Sequence, residues 1–298
     1  MSGIARAAWG VLAWNVLTIV GGALVSATGS GAGCGPNWPS CNGELLPGFD
    51  QTETIIEFSH RAVSGIALIA VLGLWWAVRR RYASGTPERR FAFWSVVAIL
   101  GEAAIGAWLV LAELVTEDDS VARAISVPLH LVNTLLLLGV LTLLAWRLTT
   151  GRSIAWQGPH RRHLVIGAIG LLVLGATGSI TSLAGYLFPA ESLAEGIAAD
   201  LSAEHFLTTL RVVHPFVAVG ATWYLIWFAN RVSRETTTAR LVSNLVVAQF
   251  AVGVLNIVFL DALWLALVHL LLADLLWIAW VVLGADLLTA EKRSTVEA

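Results

Sequence analysis

Eight apolar segments, each long enough to cross a lipid bilayer, are the feature that most constrains this chain. The hydrocarbon core of a bilayer is about 30 Å thick and requires roughly 20 apolar residues in a helix. Of the 298 residues, 57% are hydrophobic and only 13% are charged, which is too little polar surface for a water-soluble globule. The sequence therefore predicts an all-α integral membrane protein with eight transmembrane helices, at 8–28, 55–78, 92–114, 126–147, 164–184, 205–230, 240–260 and 262–286.

Basic residues predict the orientation of these helices. Lys and Arg beside a span are retained on the cytoplasmic side, and 15 of the 18 Lys and Arg residues fall at one set of helix ends. We therefore expect a multi-pass protein of the cell membrane with both termini in the cytoplasm and the cysteine-containing first loop on the outer side. Arg61, Arg123 and Arg211 are the exceptions. The basic set consists of Arg6, Arg79, Arg80, Arg81, Arg89, Arg90, Arg147, Arg152, Arg161, Arg162, Arg231, Arg234, Arg240, Lys292 and Arg293.

An internal repeat relates the two halves of the chain. GEAAIGAW at 101–108 resembles AQFAVGVL at 248–255, and PLHLVNTLLLL at 128–138 resembles LVHLLLADLLW at 267–277. A four-helix unit that occurs twice accounts for both matches, and it makes the first span a structural member rather than a cleaved signal. We expect two pseudo-symmetric four-helix bundles, an N-terminal one at 1–150 and a C-terminal one at 151–298.

Four histidines occupy corresponding places in the two halves. His60 and His214 lie near the outer end of the second helix of each half, and His130 and His269 near the outer end of the fourth. Polar groups in hydrocarbon are costly and are usually functional, and two imidazoles from facing helices are suitable axial ligands for a haem iron. The pattern predicts one haem in each half. A metal site without porphyrin fits less well, because neither pair has Cys or carboxylate partners for a tetrahedral shell; purely structural histidines are the other alternative.

The charged residues beside these histidines differ between the halves. Glu57 lies three residues before His60 and shares its helix face. Arg211 has the equivalent position before His214. An acid beside only one haem predicts that this haem is chemically altered, with Glu57 stabilising positive charge or moving a proton; pairing of Glu57 with Arg61 is compatible with that role. Arg61 and Arg211 are candidates for binding haem propionates, unless they only reach the outer headgroups.

Two cysteines, Cys34 and Cys41, lie in the first outer loop within GCGPNWPSCNG. The outer compartment permits a disulfide, which would stabilise so short a loop by roughly 2–3 kcal/mol. A structural disulfide is the default interpretation. A thiol–disulfide cycle linked to the chemistry is the alternative, since the loop should lie over Glu57 and His60.

The Cys loop, the EFSHR sequence at 57–61, the HL pairs at 130–131 and 269–270 and the fused repeats resemble the Cox15/CtaA family of haem A synthases over essentially the whole chain. The resemblance implies oxidation of the position-8 methyl group of haem O to a formyl group, which gives haem A for terminal oxidases. It implies that the substrate haem O binds in the N-terminal half with His60 and His130 as axial ligands and Glu57 as the catalytic residue. It also implies that His214 and His269 ligate the iron of a haem b cofactor.

The implied partners are haem O, the haem O synthase that supplies it, membrane lipid, and a quinone or another electron acceptor. No basic surface for nucleic acid is evident. The alternative function is a quinol-linked membrane electron carrier with two b haems, which would use the same four histidines. Glu57 and the Cys loop favour the synthase, because electron transfer alone requires neither.

Three other residues within the predicted spans carry expectations. Pro215 follows His214 directly and should loosen the helix there, because proline lacks a backbone N–H. Glu102 and Asp274 are acids at buried positions, where a proton path, a contact between helices or a polar partner would each account for them.

Overall fold

The computed structural model describes residues 1–48, 50–202 and 204–289, in which ten α-helices account for nearly all regular structure. Lys292 and Arg293, which belong to the predicted cytoplasmic basic set, lie outside the described residues. A short 3₁₀ turn at Ser30–Ala32 follows the first helix. The helices are α1 Gly3–Ala27, α2 Thr52–Arg81, α3 Pro87–Leu111, α4 Val121–Thr150, α5 Arg161–Leu187, α6 Leu193–Ser202, α7 Phe206–Arg211, α8 Val213–Arg231, α9 Thr237–Val258 and α10 Leu263–Leu287.

The predicted all-α membrane fold with eight spans is confirmed. Within the described residues, eight helical segments are long and apolar enough to cross a membrane, and α7 and α8 together form the sixth, Phe206–Arg231. Several spans extend past their predicted ends; the second, expected at 55–78, runs from Thr52 to Arg81. Hydropathy misses such ends because they carry charge. The last turn of α2 holds three arginines, which the partial negative charge of a helix C-terminus favours.

The sixth span is interrupted at Val212, between α7 and α8. Pro215 has no N–H to donate to the carbonyl of Arg211, four residues earlier, so that carbonyl loses its helical partner. The hydroxyl of Thr181 on α5 donates to it instead, at 3.3 Å. The expected loosening beside His214 is thus confirmed, and a neighbouring helix satisfies the carbonyl that the proline leaves free.

Helix contacts within each half close into a ring. In the first half α1 contacts α2, α2 contacts α3, α3 contacts α4 and α4 contacts α1; in the second, α5, α8, α9 and α10 contact one another in the same cyclic order. The helix α4 also contacts α5 and α10, and α1 contacts α10, so the halves share an interface centred on α4. The pseudo-symmetry of the halves and the division at residue 150 stay predictions.

Two tryptophans of α10 bond to other helices, Trp277 across this interface and Trp280 within the second half. The indole N–H of Trp277 donates to the carbonyl of Leu135 on α4 at 2.6 Å, and that of Trp280 donates to the carbonyl of Leu164 on α5 at 3.2 Å. Both side chains are buried. The ring of Trp280 lies directly against Gly167 of α5, where an added Cβ would be 2.1 Å from Cζ2 of the indole. Glycine is therefore required at that contact.

The substitution Gly167→Ala is expected to destabilise the protein, because its Cβ would overlap the buried indole of Trp280. Overpacking of this kind costs about 1–3 kcal/mol. Gly170→Ala is the matched control on the same helix, since nothing lies within 4 Å of an added Cβ there and alanine is the better helix former. Thermal unfolding of the detergent-purified variants measures both effects. A Gly167→Ala protein as stable as the Gly170→Ala protein would contradict this packing.

Candidate functional site

The four paired histidines lie near one end of the helical bundle, which we call the Cys-loop end because the loop between α1 and α2 covers it. Each comes from a helix that starts at this end: His60 from α2, His130 from α4, His214 from α8 and His269 from α10. All four lie within the first few turns of these helices. The structure thus brings the histidines of each half to the same level of the fold, as the repeat predicted.

Each of these imidazoles lies against a glycine of the neighbouring helix. An added Cβ would be 2.9 Å from Cε1 of His60 at Gly22, 3.0 Å from Cε1 of His214 at Gly178, and 2.9 Å from Cε1 of His269 at Gly253. The contact of His130 with Gly106 is looser, at 3.9 Å. Glycine lets the ring lie across the adjacent backbone, which fixes the side chain inside the bundle instead of leaving it in lipid.

In the C-terminal half the rings of His214 and His269 approach each other edge to face. Their centroids are 6.5 Å apart and their planes are nearly perpendicular, at 87°. Two axial imidazoles on one iron place their ring centres roughly 6 Å apart, because each metal–nitrogen bond is about 2 Å. Thr177 of α5 lies 3.1 Å from Nδ1 of His214 through its hydroxyl, which leaves the other ring nitrogen available. The donor set and spacing fit a haem.

In the N-terminal half His60 and His130 are close enough for a charge on one to act on the other. In the described part of the chain, Nδ1 of His60 is buried without a hydrogen-bond partner. A buried polar atom left unpaired costs free energy, and a bound ligand is one way to satisfy it. Axial ligation of a haem by His60 and His130 stays a prediction.

The carboxyl group of Glu57 is buried on the same face of α2 as His60. One oxygen, Oε2, accepts the backbone N–H of Cys34 at 2.7 Å. The other, Oε1, accepts two bonds from Arg61, at 3.1 Å from Nε and 2.5 Å from Nη2. Both oxygens are thus engaged, so the position of this acid depends on the loop as well as on its own helix.

The two arginines proposed for propionates are largely occupied by protein groups. Arg61 also donates Nη1 to the carbonyls of Asn37 and Ser40, at 2.7 and 2.6 Å. Arg211 pairs with Asp200, at 2.7 Å from Nε and 2.5 Å from Nη2, and donates Nη1 to the Phe188 carbonyl at 3.2 Å. Propionate binding stays a prediction for both.

The third exception, Arg123, has a separate reason for its place at this end. Its Nη1 donates to the carbonyls of Thr116 and Asp118, at 2.6 and 2.8 Å, so it holds the loop between α3 and α4.

The predicted disulfide between Cys34 and Cys41 is confirmed, and both residues are buried. Gly33, just before the first cysteine, presses on the first turn of α2: an added Cβ would lie 2.4 Å from the backbone carbon of Glu53. The hydroxyl of Thr54 donates to the carbonyl of Gly33 at 2.7 Å. The loop is therefore docked on the start of α2, with its Cys34 N–H aimed at Glu57.

Sequence reasoning singled out Glu102 without naming its partner, and it missed that this and other residues contact the histidines from neighbouring helices. These are the glycines described above, Thr177, and two polar side chains at equivalent repeat positions, Glu102 and Gln249, which lie 3.2 Å from ring nitrogens of His130 and His269 respectively. The repeat pair GEAAIGAW and AQFAVGVL contained a usable signal, because both strings carry a polar residue and, four positions later, the glycine that meets an imidazole.

Comparison with known proteins gives matches over most of the chain. A family profile described as cytochrome oxidase assembly protein, COX15-CtaA, matches residues 5–281. Protoheme IX farnesyltransferase of Thermus thermophilus is 40% identical over 296 residues, covering 96% of this chain and 49% of that relative. The chain therefore spans about half the length of that relative.

Several heme A synthases also match, two of them as follows. That of Alkalihalophilus pseudofirmus is 28% identical over 290 residues, covering 89% of this chain and 93% of that protein. That of Staphylococcus epidermidis is 61% identical over 67 residues, covering 22% of each chain.

The family profile runs from the first helix into the last and so includes both histidine pairs, Glu57 and the Cys loop. The chain belongs to the COX15-CtaA family of cytochrome oxidase assembly proteins.

Proposed function

We propose that this protein is a haem A synthase, which oxidises the position-8 methyl group of haem O to a formyl group. The observation that carries the proposal is a buried acid, Glu57, held beside the histidines of one half only. The two heme A synthase relatives and the family membership support it.

The C-terminal half is proposed to hold the cofactor. His214 and His269 would ligate the iron of a haem b, as their 6.5 Å ring separation allows. When bound, this haem supplies one-electron redox chemistry close to the substrate half. The protein groups around it orient the ligands: Gly178 and Gly253 accommodate the rings, and Thr177 engages Nδ1 of His214.

The N-terminal half is proposed to bind haem O as substrate, between His60 and His130. Removing electrons from a methyl carbon on the porphyrin creates positive charge there, and a fixed carboxylate lowers the energy of that charge. Glu57 is suited to this task because Arg61 and the Cys34 N–H hold it in one position. Its burial keeps water away, which strengthens the electrostatic effect.

The overall chemistry sets requirements for partners. Conversion of a methyl to a formyl group removes four electrons and adds one oxygen atom, so a quinone or another acceptor must take up the electrons, and water or dioxygen must supply the oxygen. Haem O carries a prenyl chain, so we propose that a prenyl-transferring haem O synthase delivers it within the membrane. The similarity to a protoheme IX farnesyltransferase supports this link.

The sidedness of the site is part of the proposal. Basic residues concentrate at the end of the bundle opposite the Cys loop, as Arg79, Arg80 and Arg81 do at the end of α2. The positive-inside rule then places that end in the cytoplasm and the Cys loop outside. Both histidine pairs would lie near the outer surface, where the disulfide is chemically permitted.

The substitution Glu57→Gln should abolish conversion of haem O while the C-terminal haem stays bound, because the amide keeps the shape of the side chain and removes its charge. Glu53→Gln, one turn earlier on α2 and exposed, is the matched control and should convert haem O normally. Extracted porphyrins from cells supplied with haem O, separated by chromatography, measure the conversion.

Two outcomes would count against this proposal. Unchanged haem b and haem O in the wild type would point to a di-haem electron carrier, which needs no acid at this place. Loss of both haems in the Glu57→Gln protein would mean that Glu57 serves the structure and not the reaction.

The substitutions His214→Ala and His269→Ala should each deplete haem b, because each removes one axial ligand of the proposed cofactor. His163→Ala is the control, since His163 lies near the start of α5 at the opposite end of the bundle, where it contacts Tyr224. The haem b content per protein, from the absorbance of the pyridine complex, measures the effect. Full haem b occupancy in either variant would remove that histidine from the ligand set.

A further inference from the structure

A polar cluster between α3 and α4 has no part in the mechanism above. Its centre is Glu102, in the middle of a transmembrane helix. The amide nitrogen of Asn133 donates to Oε1 of Glu102 and, at 2.9 Å, to the carbonyl of Ala98. The hydroxyl of Thr134 lies 2.9 Å from Oε2. An acid in hydrocarbon is expensive, and these donors explain how it is tolerated but not why it is there.

The same carboxyl group reaches a proposed haem ligand. Oε2 of Glu102 lies 3.2 Å from Nδ1 of His130. The approach is short enough for a hydrogen bond, but the angle leaves Nδ1 without one. A small rotation of the imidazole would complete the bond. With Nδ1 directed at Glu102, the second ring nitrogen, Nε2, is the one left for a ligand.

The C-terminal half has an amide where the N-terminal half has this acid. Gln249 corresponds to Glu102 in the repeat, and its Nε2 lies 3.2 Å from Nε2 of His269. Two atoms of this pair, Oε1 of Gln249 and Nδ1 of His269, are buried without partners in the described chain. The contact with Gln249 engages Nε2 of His269, so Nδ1 is the ring nitrogen left without a partner in this half.

We propose that Glu102 and Gln249 are positioning residues that orient the imidazoles of His130 and His269, and that the difference between acid and amide gives the two haems different reduction potentials. This inference rests on the proposed function, since it takes both histidine pairs as haem ligands. Neither residue touches the reacting methyl group in this scheme; each acts through the imidazole that it orients.

The physical reason is the basicity of the ligand. A carboxylate that accepts the Nδ1 proton in a hydrogen bond draws that proton away and makes the imidazole a stronger electron donor to its metal, which favours the oxidised iron. The amide of Gln249 carries no net charge, so its effect on the imidazole of His269 is weaker. The haem held by His130 should therefore have the lower potential of the two for a given porphyrin.

The test exchanges the two side chains. Glu102→Gln installs the C-terminal arrangement in the N-terminal half and should raise the potential of the N-terminal haem alone. Gln249→Glu is the reciprocal variant and should lower the potential of the C-terminal haem alone. Loss of a residue that orients a metal ligand changes metal affinity by about tenfold, and a tenfold change confined to one oxidation state shifts a one-electron potential by about 59 mV. Potentiometric titration of the purified protein, followed by haem absorbance, measures both.

His60→Ala and His214→Ala proteins, each expected to lack one haem, assign the two potentials to their halves. If both haems are present and neither exchange moves a potential, the inference is wrong and the proposed function stands. If the wild type binds no haem in the N-terminal half, the proposed function fails first. If the Glu102→Gln protein loses its N-terminal haem, the Gln249→Glu variant tests the inference alone. An unchanged potential of the C-terminal haem in that variant would contradict the inference and would mean that Glu102 only joins α3 to α4.

Discussion

Close approach of helices at glycine is the interaction on which the rest of this structure depends. Without a hydrophobic driving force between helices in lipid, packing and interhelical hydrogen bonds must hold the bundle together. The indole of Trp280 and the imidazoles of His60, His214 and His269 all lie across a glycine of the adjacent helix. A methyl group at any of these glycines would force the ring or the helix to shift. The same contacts that pack the helices therefore also place the candidate ligands.

The second constraint is that an acid in the membrane must have partners. Glu57 takes its partners from two places, the guanidinium of Arg61 on its own helix and the backbone of Cys34 in the loop. Arg61 in turn bonds two carbonyls of that loop. The disulfide closes the loop, and Gly33 lets it press on the start of α2. The position of Glu57 therefore depends on the fold of the loop, because Cys34 and Arg61 connect the two. This dependence favours a structural role for the disulfide.

The sequence predicted the features that depend on a local pattern of residues. Hydropathy located the spans, the repeat located the histidines, and Pro215 marked the break in the sixth span. It could not predict contacts that depend on how neighbouring helices are rotated. Arg211 illustrates this, because its partner Asp200 belongs to α6, a short helix outside any span, and no periodicity links the two. The contact of Glu102 with His130 is another, since it joins residues of two helices whose relative rotation hydropathy leaves open.

The N-terminal half has an acidic residue near each of its two paired histidines, and the C-terminal half has none at the same repeat positions. The N-terminal half has Glu57 beside its first histidine and Glu102 beside its second; the C-terminal half has Arg211 and Gln249 at the same repeat positions. Glu57 shares its charge with Arg61, whereas within the described chain the hydrogen-bond donors to Glu102 are an amide and a hydroxyl. Negative charge near a porphyrin favours the loss of electrons from it. Under the proposed function, it is these polar residues that distinguish the substrate half from the cofactor half, since both halves carry their histidines on corresponding helices.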